Sequence, residues 1–236
     1  LLKAVNLVKE DEADAVLSPG NTGGLLAAAS IRLRPFKGVD RPGLPTVIPT
    51  DSSQFVLLDS GANVGAKPLH LVQYAVMGSI YSRSMLQCRN PRVALLSNGT
   101  EENKGTELTR AALGVCRKLD INFIGYVEGH GLFNNEADVV VCDGFIGNIV
   151  LKTAESFAKC LVRFLKQEFT ANPKRQLGAL LAKNAFRAIK ERMDPDAYGG
   201  APVLGINGVV IKAHGSANEK AIKNAIRIAC EAVENR

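Results

Sequence analysis

Short apolar runs recur along the chain, and each ends at a polar turn rich in glycine. Continuous rather than alternating apolar residues are typical of strands in a parallel sheet that is covered on both faces. The runs predict strands at Ala15 to Leu17, Phe55 to Leu58, Val93 to Leu96, Asn122 to Ile124, Val139 to Cys142 and Val209 to Ile211.

Longer segments of helical periodicity separate these strands. They predict helices at Thr22 to Arg34, Leu69 to Met85, Thr106 to Leu119 and Asn218 to Glu234. Strands that alternate with helices are typical of right-handed βαβ units. The predicted fold class is therefore α/β with a doubly wound, mostly parallel sheet, and we expect residues 1–236 to form a single domain.

One helical region interrupts this alternation. The periodicity is helical from Asn148 to about Phe169 and again from Lys174 to Met193, with a break at Asn172–Pro173, because proline cannot continue a helix. We therefore expect a protruding helical hairpin over residues 149–193, with apolar stripes suited to a dimer contact. The stripes are formed by Leu161, Phe164, Leu165, Phe169, Leu177, Leu181, Ala188 and Ile189.

Composition adds that the chain is an ordinary globular protein. Hydrophobic residues make up 46% of its 236 residues and charged residues 22%, which excludes a disordered or collagen-like chain. No apolar run approaches the roughly 18 residues that span a bilayer, and no secretory leader is visible. Because the cysteines form no C-x-x-C pair and lie in apolar stretches, we expect buried free thiols, a cytoplasmic location, no metal site and no cofactor.

The positive charge is concentrated in the predicted hairpin. The formal net charge is +6, and residues 156–192 contain nine basic residues but only two acidic ones. Such a segment is either a solvated helical face or a surface for an anionic partner, namely an acidic protein or an anionic membrane, through Lys174, Arg175 and Lys183. Nucleic acid is not expected, since the chain lacks Trp and any helix-turn-helix, zinc-finger or RNA-stacking motif.

Polar turns follow the predicted strands. In open α/β sheets, ligands bind at the carboxyl ends of the strands, so five such turns at one edge of one sheet indicate a binding site. The turns are Ser18–Gly24, Asp59–Asn63, Ser97–Gly105, Asp143–Asn148 and Lys212–Ser216.

The composition of the turns indicates an oxyanion ligand. Small residues before helix N-termini expose backbone N–H groups that bind phosphate. Further neutral or cationic donors are Asn21, Thr22, Lys104, Asn148 and His214.

Standard nucleotide and nucleophile motifs are missing from these turns. Gly20–Gly24 is not G-x-G-x-x-G, and Gly99–Thr106 has Lys and Gly exchanged relative to a Walker loop. There is no G-x-S-x-G elbow, and His214 is the only histidine in a turn that follows a strand. These features favour a transfer reaction without an enzyme-bound intermediate, in which inorganic phosphate is the attacking group.

The turns and their neighbours form an ordered set of motifs over nearly the whole chain. The set comprises Ser18–Gly23, Arg41–Pro42, Asp59–Asn63, Lys67–Pro68, Gly99–Gly105, Phe123–Gly125, Glu128–Gly129, Asp143–Phe145, Gly147–Asn148, Tyr198–Gly200 and Lys212–Ser216. It resembles the bacterial acyl-acyl-carrier-protein:phosphate acyltransferases of phospholipid synthesis. The resemblance implies a fold related to phosphotransacetylases and to isocitrate/isopropylmalate dehydrogenases. It also implies that a family segment preceding residue 1 is missing.

The activity implied by the resemblance is conversion of acyl-acyl-carrier protein and inorganic phosphate into acyl phosphate and free carrier protein. By this comparison Lys104 and Asn148 look catalytic. The residues implied to line the pocket are Asn21, Thr22, Gly23, Asn63, Asp143, His214 and Ser216. The resemblance further implies a homodimer supported by the hairpin, membrane contact at the hairpin tip, and a partner in acyl-glycerol-phosphate synthesis.

Two other functions stay open at this point. A phosphotransacetylase-type enzyme would use an acyl-coenzyme A donor with the same phosphate chemistry. A non-catalytic membrane-binding or partner-binding module would need the basic hairpin but not the polar turns.

Overall fold

The computed structural model describes residues 1–192 and 199–234. Its strands are Ala15–Ser18 (β1), Thr46–Pro49 (β2), Gln54–Leu58 (β3), Val93–Leu96 (β4), Phe123–Val127 (β5), Val139–Val141 (β6), Gly200–Pro202 (β7) and Val209–Ala213 (β8). Every strand predicted from an apolar run is confirmed to within a few residues. The sequence patterns did not predict β2 and β7.

The helices agree with the predicted periodic segments, and several begin at a capping side chain. They are Leu2–Lys9 (α1), Thr22–Arg32 (α2), Pro68–Met85 (α3), Glu107–Cys116 (α4), Gly144–Thr170 (α5), Pro173–Leu181 (α6), Lys183–Arg192 (α7) and Glu219–Glu234 (α8). The side chains of Asn21, Thr106, Asp143 and Asn172 accept hydrogen bonds from the first turns of α2, α4, α5 and α6.

The larger sheet has five strands in the order β2-β3-β6-β4-β5. Strands β3, β6, β4 and β5 are parallel, and β2 pairs antiparallel with β3 at the edge. One face is covered by α3 and α4, which bury Leu71, Tyr74 and Leu113 against the strands. The other face buries Phe55 and Val140 with the start of α5 partly packed against them. Both faces are covered, which explains the continuous apolar strands.

The smaller sheet has three strands in the order β1-β8-β7. Here β1 and β8 are parallel, and β7 pairs antiparallel with β8. On one face, Val16 and Val210 form a core with α1 and α2, and on the other, Val209 and Ile211 pack against α8.

The strands therefore belong to two sheets, and the expectation that all five turns lie on the edge of one sheet is wrong. Strand β1 pairs only with β8, among the described residues, so Ser18–Gly24 and Lys212–Ser216 belong to the smaller sheet. The two halves meet around Leu44, whose side chain packs in the core under α2 while its N–H donates to Asp59 of the larger sheet.

Helices α5, α6 and α7 follow one another where the sequence predicts two arms. The chain breaks at Ala171–Asn172, as Pro173 predicts, and again at Ala182, which the sequence did not predict. The ring of Phe169 on α5 contacts that of Phe186 on α7 edge to face. Many apolar side chains of these helices are exposed, among them Phe157 at 69% and Leu181 at 81%. The predicted segment ends at Met193, which lies outside the described residues.

Within residues 1–192 and 199–234, no helix combines the length and the hydropathy needed to cross a bilayer. The cysteines show no disulfide there: Cys116 and Cys142 are buried thiols, but Cys230 is exposed, so the expectation of buried thiols holds only in part.

Candidate functional site

Three of the predicted turns lie side by side at the larger sheet. Strands β3, β6 and β4 are parallel neighbours, so the turns that follow them begin at adjacent strand ends, about 4.8 Å apart per strand. These turns contain Asp59–Asn63, Asp143–Asn148 and Ser97–Gly105. The predicted catalytic residue Lys104 thus lies in the turn after β4, and Asn148 lies near the start of α5, the helix that follows the neighbouring strand β6.

The turn after β3 is organised by a buried carboxylate. Asp59 Oδ1 accepts hydrogen bonds from the backbone N–H groups of Leu44, Gly61 and Ala62, at 3.3, 3.2 and 2.9 Å. Its Oδ2 accepts from the backbone N–H of Asn63 at 2.7 Å. Burial raises the pKa of Asp59, and the donated hydrogen bonds oppose that rise. The carboxylate fixes the shape of the turn rather than facing a ligand.

Asn63, predicted to line the pocket, is buried in this network. Its Nδ2 lies within hydrogen-bonding distance of Pro42 O (2.7 Å), Tyr74 Oη (2.8 Å) and Asp59 Oδ2 (3.1 Å). Two amide hydrogens thus already have three protein acceptors. The side-chain nitrogen of Asn63 therefore holds the turn after β3 in place from its buried side.

The N-terminus of α5 packs closely against the turn after β3. The helix can approach because two of its first residues are glycines and have no side chain. A Cβ on Gly144 would lie 2.7 Å from the backbone nitrogen of Asn63, and one on Gly147 would lie 1.9 Å from the carbonyl oxygen of Asp59. This close approach places the side chain of Asn148 beside Gly61, with its Cβ 3.5 Å from where a Gly61 side chain would begin. Asn148 itself is exposed.

The first amides of α5 already have partners. Asp143 Oδ1 accepts hydrogen bonds from Phe145 and Ile146 at 2.9 and 3.0 Å, and the N–H of Gly144 donates to Asn63 O at 2.9 Å. The carboxylate of Asp143 therefore occupies the anion-binding end of the helix. We expected the backbone amides of the turns to bind phosphate, and at α5 this carboxylate opposes such binding.

Lys104 is exposed, and the aliphatic part of its side chain lies against Gly99. A Cβ on Gly99 would lie 2.6 Å from Lys104 Cγ and 3.1 Å from Cδ, so only glycine leaves room for this side-chain path. The backbone N–H of Lys104 donates to Glu101 O at 3.0 Å, and that of Gly105 donates to Asn98 Oδ1 at 2.9 Å. Hydrogen bonds within the turn after β4 thus connect its beginning to its end, and the Lys104 side chain lies on the surface of the turn.

The turns of the smaller sheet form a second group. Pro19 O lies 3.8 Å from where a Gly215 side chain would begin, so the turns after β1 and β8 are in contact. Asn21 Oδ1 caps α2 by accepting from Gly24 N at 2.8 Å, with Thr22 and Gly23 as the first helical residues.

His214 and Ser216 interact with each other within the second group. His214 Nδ1 accepts from the backbone N–H of Ser216 at 3.2 Å and lies 2.8 Å from Ser216 Oγ. A backbone N–H can only donate, so this contact favours the tautomer in which Nδ1 is the acceptor and Nε2 carries the proton. His214 is exposed and can present that N–H to a ligand.

The two groups of turns approach each other through the turn after β3. Ala62, next to the buried Asn63, packs against the core under α2. Lys212 interacts electrostatically with Lys152 of α5. It begins the predicted turn Lys212–Ser216 but was not a predicted site residue. Sequence spacing contains no signal for this proximity, because it arises from the contact between two sheets.

A strand-end cysteine is not a nucleophile. Cys142 is buried at the end of β6, 3.8 Å from Asp59 O. Burial, with the nearby charges of Asp143 and Asp59, strongly raises the pKa of this thiol, so it stays protonated. No group of three or more His, Cys, Asp or Glu in the described part of the chain is arranged to hold a metal ion.

The predicted contact residues Lys174, Arg175 and Lys183 are exposed and far from these turns. Helix α5 has 27 residues, so its two ends are roughly 40 Å apart at 1.5 Å per residue. Arg175 forms an ion pair with Glu168, whereas Lys174 and Lys183 form no ion pair with the described carboxylates. Of the motif Tyr198–Gly200, Tyr198 lies outside the described residues.

Comparison with known protein families gives a match over the whole chain. A family described as "Fatty acid synthesis protein" matches residues 1–236. A phosphate acyltransferase of Desulfitobacterium hafniense is 53% identical over 236 residues, which are all of this chain and 71% of the relative. A phosphate acyltransferase of Pelotomaculum thermopropionicum is 48% identical over all of this chain and 69% of its own length.

Solved structures of low sequence identity share the fold. A phosphotransacetylase from Streptococcus pyogenes superimposes with a TM-score of 0.70 at 19% identity, covering 99% of this chain and 67% of the other. A branched-chain phosphotransacylase from Enterococcus faecalis gives 0.57 at 16% identity, covering 98% and 78%. A 4-hydroxythreonine-4-phosphate dehydrogenase from Klebsiella pneumoniae gives 0.53 at 12% identity, covering 98% and 67%. The predicted fold relation to phosphotransacetylases is confirmed, and a dehydrogenase shares the fold, while the relation to isocitrate/isopropylmalate dehydrogenases stays a prediction.

Proposed function

The chain belongs to the fatty acid synthesis protein family and is similar over its full length to phosphate acyltransferases, and from this premise we propose that it transfers an acyl group from acyl-acyl-carrier protein to inorganic phosphate. The products are acyl phosphate and free carrier protein, and the acyl phosphate feeds phospholipid synthesis. The observation that carries this proposal is the 53% identity over the entire chain. The adjacency of the Lys104 and Asn148 turns agrees with it.

The reaction needs positioning and charge stabilisation more than covalent chemistry. A phosphate oxygen attacks the thioester carbonyl carbon, the carbonyl oxygen becomes negative, and the carbon–sulfur bond then breaks. The thiol has a pKa near 8.5, so it leaves as thiolate with little acid assistance. Preorganised donors near the carbonyl oxygen therefore supply the main rate enhancement.

Lys104 and Asn148 are the donors that we assign to this step. The exposed amide of Asn148, held beside Gly61, donates a hydrogen bond to the carbonyl oxygen. The ammonium group of Lys104, from the neighbouring turn, neutralises the negative charge that develops there. Asn21, Thr22, Gly23, His214 and Ser216 line the opposite side of the cleft, while Asn63 and Asp143 hold the turn and the helix that carry Asn148.

We further propose that both sheets act as one catalytic domain with a doubly wound core, and that α5–α7 form a helical hairpin with two roles. The exposed apolar face of α5 is a homodimer contact. The tip around α6, with its exposed leucines and its lysines, contacts an anionic membrane from the cytoplasm. Membrane contact would bring the acyl phosphate near an enzyme that acylates glycerol phosphate.

The test is to incubate the purified protein with acyl-acyl-carrier protein and radiolabelled phosphate. We expect a labelled acyl phosphate that hydroxylamine cleaves. Parallel reactions with acyl-coenzyme A separate this proposal from a phosphotransacetylase-type enzyme, since preference for the coenzyme A thioester would favour the latter. Failure of both thioesters to give a labelled product would leave only a binding function.

A further inference from the structure

Strand β8 ends in a half-buried lysine. Lys212 is in register with Ser18 of β1, so the two side chains lie on the same face of the smaller sheet. Val210 and Val16, two residues earlier on each strand, are buried on that face in the core under α2. Lys212 therefore lies at the carboxyl end of this core, where the turn leading into α2 begins.

Lys212 also lies within electrostatic range of α5, which packs on the larger sheet. Burial lowers its pKa, and repulsion by Lys152 lowers it further, so the two ammonium groups are near each other. Lys152 is one helical turn beyond Asn148 on the same face of α5. Ala62, in the turn after β3, packs against the same core that contains Val16 and Val210. Lys212 thus lies between the turns of the smaller sheet and the helix that carries Asn148.

The charge of Lys212 is not neutralised by a protein carboxylate in the described residues. Its ammonium donates to the carbonyl oxygen of Ala213, while Lys152 has its own ion pair with Glu155 at 3.0 Å. A partly buried cation without a counter-ion is costly, and an anion bound beside it would offset that cost.

The adjacent end of α2 supplies matching donors. In the part of the chain that the structure describes, the backbone N–H groups of Thr22 and Gly23 make no hydrogen bond, and the cap of the helix is the neutral Asn21. This end differs from that of α5, where Asp143 neutralises the helix dipole. An anion in the cleft is therefore favoured on the side of the smaller sheet.

We propose that Lys212 binds the attacking inorganic phosphate, together with the first amides of α2, and directs it toward the thioester carbonyl at Lys104 and Asn148. This inference rests on the proposed function and assigns the two reactants to opposite sides of the cleft. Phosphate lies at the carboxyl ends of β1 and β8, and the developing oxyanion lies at those of β4 and β6. The oxygen–carbon bond forms between the two groups of turns.

The variant that tests this is Lys212→Gln, which keeps most of the side-chain length but removes the charge. Losing one charge-assisted hydrogen bond is expected to raise the KM for phosphate about tenfold or more, and to leave the KM for acyl-acyl-carrier protein within about twofold. Lys212→Arg keeps the charge and restores most of the phosphate affinity. The matched control is Lys118→Gln, which removes an exposed lysine after α4 and leaves the KM for phosphate within about twofold.

Binding of inorganic phosphate alone, measured by calorimetry at constant ionic strength, separates this inference from the proposed activity. If the wild type binds phosphate and Lys212→Gln binds it at least about tenfold more weakly, the inference holds even if no acyl phosphate forms. An active Lys212→Gln variant with an unchanged phosphate KM overturns the inference and leaves the activity intact. Equal increases in the KM values for both substrates, or a wild type that binds no phosphate, also overturn it.

Discussion

Glycine 147 determines how closely α5 approaches the turn after β3. A Cβ at this position would lie 1.9 Å from Asp59 O, a backbone atom that the buried turn holds in place. We predict that Gly147→Ala lowers the free energy of unfolding by about 1–3 kcal/mol, since overpacking of this kind displaces the helix. It also lowers turnover, because Asn148 follows directly and moves with α5.

Urea unfolding and steady-state kinetics check this prediction, and Gly114→Ala is its control. Gly114 is also helical, but a Cβ there meets no atom within 4 Å. Alanine in an exposed helix interior is better than glycine by roughly 0.5–1 kcal/mol, so this variant should be more stable and fully active. Equal effects of the two substitutions would show that the contact with Asp59 has no special importance.

The two assigned catalytic side chains are both exposed, so removing them should affect chemistry more than folding. We predict that Lys104→Ala and Asn148→Ala each lower kcat by about 10²-fold or more, the scale for one lost preorganised donor. Melting temperatures should stay within about 2 °C of the wild type, because exposed positions contribute little to stability. The control is Lys118→Ala, an exposed lysine after α4 that should keep full activity. Wild-type kcat in either catalytic variant would contradict the assignment.

The site residues differ in how far the sequence alone could place them. Lys104 and Asn148 could be proposed from the sequence, because they belong to polar segments that follow apolar strands and to the motifs that resemble the acyltransferases; their catalytic role stays a prediction. The buried role of Asn63 was not, since its partners Pro42 and Tyr74 lie 21 and 11 residues away and only the folded chain brings them together. Lys212 was missed because its significance comes from a neighbour on α5.

At the scale of elements, one ion pair ties the starts of two neighbouring strands. Arg92, just before β4, donates from Nε and Nη2 to Asp138, just before β6, both at 3.0 Å, and its backbone N–H donates at 2.8 Å. Burial raises the pKa of Asp138, but the hydrogen bonds from Arg92 outweigh it and the net pKa is lowered. The carboxylate form is therefore favoured in the folded state.

This lowered pKa predicts a pH dependence of stability. The folded protein holds the Asp138 proton more weakly than the unfolded chain, so the pair stabilises the fold above about pH 4 and loses this effect as the pH falls. We expect Asp138→Asn to lower the free energy of unfolding by about 1 kcal/mol at pH 7, a small value since the side chain of Arg92 is 41% exposed. The difference from the wild type should shrink toward pH 3 in urea titrations. A difference that is independent of pH would exclude this origin.

The strands that the sequence did not predict have a physical reason in common. Both β2 and β7 are short, antiparallel edge strands, and each ends in a proline, Pro49 and Pro202. Proline lacks a backbone N–H and is tolerated at sheet edges, where one side of the strand needs no partner. The central parallel strands were predictable because burial on both faces demands continuous apolar residues. The edge strands β1 and β5 are parallel and were also predicted from apolar runs, so the edge strands that were missed are the two antiparallel ones.

The basic tip of the proposed hairpin gives a prediction about membranes. Each lysine near an anionic surface contributes about 1 kcal/mol, so reversing Lys174 and Lys183 together should weaken binding to vesicles with anionic lipid by more than about tenfold. Arg175 is left unchanged because it pairs with Glu168. Vesicle flotation at low and high salt measures the effect, and Lys9→Glu with Lys118→Glu is the control of equal charge. Loss of carrier-protein binding without loss of vesicle binding would instead assign the tip to the carrier protein.

At the scale of the whole molecule, the predicted site residues are divided between two sheets with separate cores. The strand pattern correctly predicted the α/β class. It wrongly predicted that all five turns lie on one sheet, because apolar runs do not indicate which strands pair. Contacts of Leu44 and Ala62 with the core under α2 join the halves. In the proposed reaction each sheet binds one reactant, which gives the anionic phosphate and the carbonyl oxygen that becomes negative separate sets of donors.

Two exposed aromatic side chains on α5 predict a homodimer. Phe157 and Phe164 lie seven residues apart on one face of α5 and are 69% and 60% exposed, which is unusual for aromatic side chains of a chain that acts alone. In a homodimer they pack against the partner's α5. We expect the wild type to elute with twice the chain mass of 25.2 kDa in light scattering, and Phe157→Glu with Phe164→Glu to elute as a monomer with unchanged helicity. Ile31→Glu, at a position 68% exposed on α2, is the control and should stay dimeric. A wild type that remains a single chain at micromolar concentration would contradict the role of this face, and so would a double variant that keeps the doubled mass.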